Sequence, residues 1–181
     1  MRSVDGETAL WAHRAAVHRF LRRLTGNETE AADLTQETMV EALQHASQLR
    51  AGGNAKAWLM TIARNKVWAA RRAARTTREE AEAPETLETL GAAAGWGEPL
   101  DPEVLSARLE ERQLLERALA SMSDEGREII TLRELEGLSG EETAQALGVG
   151  LAAMKSRLHR ARLELVAAVK RTLRTQEVHH G

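Results

Sequence analysis

The stretch GVGLAAMKSRLHRAR, residues 148–162, decides the fold of the C-terminal part of the chain. Gly148 closes a short helical pattern, and a longer helical pattern begins at Leu151. When the longer helix is drawn at 100° per residue, its apolar residues fall within an arc of about 80°. Those residues are Leu151, Met154, Leu158, Ala161 and Leu165. A short helix, a glycine turn and a longer amphipathic helix predict a helix-turn-helix.

The polar side of this longer helix is cationic. Its basic residues are Lys155, Arg157, His159, Arg160 and Arg162, and no acidic residue occurs in the helix before Glu164. Small residues at the start of the helix leave room for a DNA groove, while bulky acids would repel phosphates. The alternative is a solvated face of an ordinary amphipathic helix. The cap, the turn and the small residues together favour DNA binding.

The segments before this motif also carry helix signals. Pro102 occupies a first helical position behind the capping residue Asp101, and a second helix is expected over Asp124–Glu136, before Gly137. Ser139 and Glu142 have the S-x-x-E spacing of a capping box.

Three helical patterns occupy the N-terminal part, over Thr8–Leu24, Asn27–Leu49 and Ala55–Arg75. Gly26 can end the first helix, and Asn27 can cap the second with Glu30 three residues on. Trp58 and Ile62 lie on the apolar stripe of the third helix and are predicted core residues. Trp68 is equally compatible with a core position and a DNA contact.

An acidic segment separates the two halves. All three prolines fall between residues 84 and 102, among several glycines, without a helical period. Residues 79–116 carry 2 Lys+Arg against 11 Asp+Glu, whereas residues 1–78 carry 13 against 7 and residues 152–174 carry 7 against 1. We therefore predict two helical domains joined by a flexible acidic linker.

Several classes of function have no support in the sequence. The chain has no cysteine, so disulfides and thiolate metal sites are excluded. No apolar run is long enough to insert into a membrane, and no secretory signal pattern is present. No nucleotide-binding motif, histidine metal spacing or catalytic triad is visible. These observations predict a cytoplasmic protein with no catalytic residues, cofactor, metal or small-molecule substrate.

Three segments resemble a known family. EAADLTQETMVEAL (30–43), KAWLMTIARNKVWAARR (56–72) and REIITLRELEGLSGEETAQALGVGLAAMKSRLHRARLEL (127–165) are similar to the extracytoplasmic-function group of the bacterial sigma-70 family. Such sigma factors contain only region 2 and region 4. The resemblance implies an all-α fold in which residues 1–78 are the region 2 three-helix bundle and 79–100 the linker. Residues 101–175 would form region 4, and residues 176–181 a disordered tail.

The resemblance also implies sites in region 2. The surface for core RNA polymerase would consist of Asp33, Gln36, Glu37 and Glu41. Three of these acids follow an i, i+4 spacing that puts them on one helix face. Contacts to the −10 promoter element would come from Arg64, Asn65, Lys66, Trp68, Arg71 and Arg72, after a base-capturing loop at Leu49–Lys56.

In region 4 the resemblance implies recognition of the −35 element. The residues are Ala152, Ala153, Ser156 and Arg160 toward bases and Lys155, Arg157 and His159 toward the backbone. The implied partners are core RNA polymerase, promoter DNA and an anti-sigma factor. The implied function is promoter-specific transcription initiation.

Two other functions are alternatives to the sigma factor. A stand-alone helix-turn-helix transcriptional regulator would use the same basic helix, but would leave the basic third helix unexplained. A helical adaptor without a DNA role conflicts with the two basic segments. Binding to polymerase separates the sigma factor from both alternatives.

Overall fold

The computed structural model of the chain describes residues 8–49, 53–78 and 102–179. Within these ranges all regular secondary structure is helical, and no strand occurs. The helices are α1 (Arg14–Thr25), α2 (Glu28–Gln44), α3 (Ala55–Arg78), α4 (Pro102–Ala120), α5 (Asp124–Ile130), α6 (Gly140–Leu147) and α7 (Leu151–His179). A 3₁₀ turn (Ala46–Gln48) follows α2, and a π-helical turn (Thr131–Leu135) continues α5.

The N-terminal domain is a bundle in which α1, α2 and α3 each pack against the other two. Their apolar stripes form its core, which includes Val17, Phe20, Leu21, Leu34, Met39, Leu59, Met60, Ala63 and Val67. Ile62 is buried and Trp58 packs against the core with partial exposure, so the predicted core positions of both are confirmed.

Helix ends in this domain follow local chemistry. Gly26 adopts φ 70°, a left-handed conformation, and its N–H donates to the carbonyl of Arg22. The side chain of Asn27 accepts from the N–H of Glu30 at 3.0 Å. The predicted helix over Thr8–Leu24 is instead interrupted by a turn at residues 12–13, and the second helix ends at Gln44 rather than Leu49.

The C-terminal domain is built around α7, which packs against α4, α5 and α6. Its core includes Leu119, Met122, Ile129, Ile130, Leu132, Leu138, Leu147, Met154, Leu158 and Ala161. The predicted buried stripe of α7 is therefore confirmed at its centre. Leu151, at the helix start, is 39% exposed.

The predicted helix-turn-helix is present. The hydroxyl of Ser139 accepts from the N–H of Glu142, and the Glu142 carboxylate accepts from the N–H of Ser139, which completes the capping box. Gly148 has φ 67° and ends α6. A Cβ on Gly140 would lie 3.2 Å from Cε of Met154, so the start of α6 approaches α7 closely.

The two domains touch one another. Helix α6 packs against α3, and α1 contacts α4, α5 and the π-helical turn. The predicted linker, 79–100, lies outside the described residues. Helix α7 continues to His179, whereas a disordered tail was predicted from residue 176; residues 180–181 are not described.

Candidate nucleic-acid and protein interfaces

The exposed face of α7 presents small and basic side chains beside the turn. Six of the residues predicted to contact the −35 element are exposed there, namely Ala152, Ala153, Lys155, Ser156, His159 and Arg160. The seventh, Arg157, is half-buried. The face is held in place by the burial of Met154 and Leu158 on the opposite side of the helix. Its chemistry suits a DNA groove lined by phosphates.

Two further polar residues of α7 work inside the C-terminal domain. Arg162 donates to Glu134 through Nε at 3.1 Å, so this cation is paired rather than offered to DNA. The carboxylate of Glu164 accepts from the backbone N–H and the hydroxyl of Ser123 and so ties α7 to the N-cap of α5. The sequence pattern of α7 predicts neither contact.

A second candidate interface is the acidic face of α2. Asp33, Gln36 and Glu37 are exposed, and Glu41 is about half exposed. These four residues line a shallow open depression, and the three acids share one helix face, as their i, i+4 spacing predicts. The face carries the negative charge of three acids beside the exposed side chain of Val40, so it fits a positively charged protein surface.

Lys66 also lies at this acidic face. Its ammonium is 2.9 Å from the carboxylate of Glu41 and 3.5 Å from that of Glu37. Burial would lower the pKa of Lys66, but the hydrogen bonds and charges of Glu41 and Glu37 outweigh it and raise the pKa. Lys66 therefore stays charged, and the structure places it with the polymerase-binding candidates rather than with the −10 candidates.

The third candidate interface is the basic face of α3. Arg64 and Trp68 lie on it, and both donate to one carboxylate oxygen of Glu128 from α5, at 2.9 Å and 2.8 Å. The indole of Trp68 is flanked by the guanidinium groups of Arg64, 5.9 Å from the ring centroid, and Arg71, at 5.3 Å. Trp68 is thus neither a core residue of its domain nor free.

The remaining residues of this face differ in their surroundings. Arg71 contacts Asp124 at 2.7 Å and donates to the carbonyl of Leu24 at 2.6 Å. Asn65 and Arg72 are exposed. The structure therefore brings five of the six −10 candidates to one face, and three of those five contact the C-terminal domain.

Glu128 is the electrostatic centre of this contact. It is 3% exposed, and burial raises the pKa of its carboxyl, although the hydrogen bond from Trp68 and the charge of Arg64 partly offset that effect. Its carboxylate accepts hydrogen bonds from two side chains of the other domain, as a phosphate oxygen would.

Glu136 is a second buried carboxylate that contacts basic side chains of the N-terminal domain. It is 6% exposed and faces three cations of the N-terminal domain: Lys56 at 2.9 Å, Arg23 at 3.4 Å and Arg19 at 3.8 Å. Lys56 also donates to the backbone carbonyl of Glu136 at 2.6 Å.

The predicted base-capturing loop is engaged in the same contact. Asn54 caps α3 by accepting from the N–H of Ala57, and its amide donates to Glu142 at 2.7 Å. The backbone N–H of Ser139 in the capping box lowers the pKa of Glu142, and the hydrogen bond from Asn54 adds to that effect. Residues 50–52 of the loop lie outside the described residues.

A cleft between the domains joins the two basic faces. Arg64, Asn65, Trp68 and Arg72 of α3 line it together with Glu125, Glu128 and Arg157. The sequence did not predict the roles of Glu128 in α5 and of Glu136 just after the π-helical turn, because their spacing resembles that of any solvated helix. Only the fold shows that both are buried against the other domain.

Across the described ranges, no helix is both long and apolar enough to cross a membrane. The same ranges contain no cluster of three or more acidic or histidine side chains able to hold a metal ion.

Comparisons with known proteins cover both domains. Residues 11–77 match the family Sigma-70 region 2, and residues 112–165 match the family Sigma-70, region 4. The chain is 35% identical over 162 residues to the ECF RNA polymerase sigma factor SigL of Mycobacterium tuberculosis, covering 89% of this chain and 84% of SigL. It is 31% identical over 148 residues to the RNA polymerase sigma factor YlaC of Bacillus subtilis, covering 81% of each.

Among solved structures, the chain is similar to the sigma factor RpoE of Bartonella quintana, crystallised with the anti-sigma factor NepR. The TM-score is 0.76 at 28% identity, over 92% of this chain and 97% of RpoE.

Proposed function

Because the chain belongs to the sigma-70 family, as an extracytoplasmic-function RNA polymerase sigma factor, we propose that each of its three candidate interfaces binds a different partner during promoter-directed initiation. As a member of that family it directs RNA polymerase to promoters. The alternative of a stand-alone regulator leaves the region 2 match unexplained. We assign region 2 to residues 1–78, the linker to 79–100 and region 4 to 101–175.

The acidic face of α2 is assigned to core polymerase. This assignment is supported by the exposure of Asp33, Gln36 and Glu37 on one helix face. Lys66 forms ion pairs with Glu37 and Glu41 of the same face. Acidic side chains on a rigid helix provide charge complementarity and orientation for a basic protein partner.

The basic face of α3 is assigned to the −10 element and its melting. Cationic and aromatic side chains can hold single-strand backbone and stacked bases, and Arg64, Trp68 and Arg71 supply both. Asn65 and Arg72 extend the same face. Lys66 is left out of this assignment because it is paired with acids of α2.

The exposed face of α7 is assigned to the −35 element. Arg160 is the residue we assign to base reading, since arginine to guanine is the commonest base-specific contact. Lys155 and His159 are placed to contact phosphates.

RpoE was crystallised with an anti-sigma factor, and we extend that class of partner to this chain. The chain contributes specificity and no catalytic step. It acts in the bacterial cytoplasm, where polymerase and promoters are found.

The test of the polymerase assignment is a charge reversal. The double variant Asp33→Lys plus Glu37→Lys should weaken binding to core RNA polymerase about tenfold or more, because two favourable contacts become repulsive. Biolayer interferometry without DNA measures this affinity. The control is Glu110→Lys plus Glu111→Lys, which makes the same charge change at exposed acids of α4. Equal affinities of the two double variants would refute the assignment.

A further inference from the structure

Lys66 of α3 lies against the acidic face of α2. Its ammonium is 2.9 Å from a carboxylate oxygen of Glu41 and 3.5 Å from a carboxylate oxygen of Glu37. These two acids are one helical turn apart on the face assigned to core polymerase. A single cation of the neighbouring helix therefore contacts two of the three acids of that face.

The Lys66 side chain is largely covered, while its two partners reach solvent. It is 20% exposed, whereas the side chains of Glu37 and Glu41 are 61% and 45% exposed. A carboxylate offers about four acceptor sites. The contact with Lys66 therefore leaves acceptor sites on both acids for a protein partner.

We propose that Lys66 is a positioning residue for core polymerase, which orients the carboxylates of Glu37 and Glu41 for a basic partner surface and takes no part in −10 recognition. The inference rests on the proposed function, because it takes the acidic face of α2 to be the polymerase site. Lys66 acts through the two acids and not by direct contact with the partner.

The position of Lys66 on α3 separates it from the DNA candidates of the same helix. Arg64, Trp68 and Arg72 line the cleft between the domains. Lys66 lines the depression on α2 instead. At 100° per residue the three cleft residues fall within an arc of about 80° on the side of α3 roughly opposite Lys66. A side chain on that opposite side does not share their contact with DNA.

Orientation of the two acids favours binding through entropy. A long glutamate side chain on an exposed helix face loses rotamer freedom when a partner immobilises it. In this chain the ion pairs to Lys66 restrict Glu37 and Glu41 before the partner arrives. The complex therefore loses less side-chain entropy on formation, and such preorganisation slows dissociation.

Net charge and positioning predict opposite effects of removing Lys66. Without its ammonium the face becomes more negative, so electrostatic steering should speed association with a basic partner. Without orientation of the acids, dissociation should also become faster. At about 0.15 M salt the Debye length is about 8 Å, so one charge changes steering only weakly. The effect on dissociation should therefore be the larger one.

The variant Lys66→Met removes the ammonium and keeps a long side chain. We expect its affinity for core RNA polymerase to fall about fivefold, through faster dissociation, although the face gains negative charge. Biolayer interferometry without DNA resolves both rate constants. The matched control is Arg75→Met, which removes a cation from an exposed position about 180° around α3 from Lys66. Affinity of Lys66→Met equal to or tighter than that of the control would overturn the proposal.

A mutant cycle distinguishes positioning from direct contact and from a structural role. In a background of Glu37→Gln plus Glu41→Gln no carboxylate remains for Lys66 to orient, so Lys66→Met should cause little further loss of affinity. An undiminished loss in that background would contradict the proposal. Circular dichroism reports whether each variant keeps its helices, and Lys66→Gln takes the place of Lys66→Met in the cycle if the latter loses them.

Asp33→Lys separates failure of this inference from failure of the polymerase assignment. Asp33 is exposed on the same face, and the ion pairs described for Lys66 do not include it. Weak binding by Asp33→Lys together with normal binding by Lys66→Met would refute positioning alone. Normal binding by both would refute the polymerase assignment as well. Normal core binding by Lys66→Met with impaired promoter opening by the holoenzyme would place Lys66 at the DNA and overturn the proposal.

Discussion

At the scale of single residues, Glu128 shows how burial and pairing act against each other. Its pKa is raised because burial outweighs the hydrogen bond from Trp68 and the charge of Arg64. The folded protein therefore binds this proton more tightly than the unfolded chain, in which a glutamate has a pKa of about 4.3. The stability contributed by Glu128 is complete below that value and is lost as pH rises through the folded-state pKa.

Glu128→Gln should accordingly raise the melting temperature at pH 7. The amide oxygen still accepts from Trp68 and Arg64, and the neutral side chain avoids the cost of a buried charge. The gain over wild type should shrink as the pH falls toward 4, where the native carboxyl becomes protonated. Thermal melts across this range measure it, with Glu134→Gln as the exposed control. A gain that grows on acidification would contradict the account.

At the same scale, Arg160 and Arg162 have different roles despite their proximity. Arg160 is exposed on the face assigned to DNA, whereas Arg162 is paired with Glu134. Arg160→Ala should lower −35-dependent transcription about tenfold or more, since a good arginine–base contact contributes about 1–3 kcal/mol. Core binding should be unchanged. In the same run-off assay Arg162→Ala should have a much smaller effect, and equal losses would refute the assignment.

At the scale of elements, local chemistry sets the helix ends that the sequence predicted. The capping box at Ser139 and the left-handed Gly148 both appear as their spacing implied. The break at residues 12–13 and the early end of α2 at Gln44 carried no comparable signal, because the apolar period continues through both. Capping residues therefore allow a helix end to be predicted from the sequence, whereas ends without such a signal are missed.

The turn of the helix-turn-helix provides a test at this scale. Gly148→Ala should destabilise the C-terminal domain by about 1 kcal/mol, because φ 67° puts a Cβ in the left-handed region. Gly150→Ala is the matched control, since both positions have open space around them and only Gly148 has positive φ. Denaturant unfolding compares the two. Equal stability of the variants would show that the backbone conformation of Gly148 imposes no strain.

At the scale of the whole molecule, the sequence predicted the two domains but not their contact. Arg64 and Glu128 are 64 positions apart, and Lys56 and Glu136 are 80 apart. Pairings at such separations have no periodic signature, so the sequence pattern around Glu128 and Glu136 does not reveal them. The same limit explains Lys66, which the resemblance grouped with DNA contacts and the fold places beside Glu37 and Glu41.

The central role of this chain is to direct RNA polymerase to its promoters. The direct measurement is transcription of sheared genomic DNA from the source bacterium by its core RNA polymerase, with and without the purified chain, followed by sequencing of RNA 5′ ends. We expect start sites that appear only with the chain and share two upstream motifs, one near −10 and one near −35. Identical start sites with and without the chain, despite tight binding to core polymerase, would contradict the account.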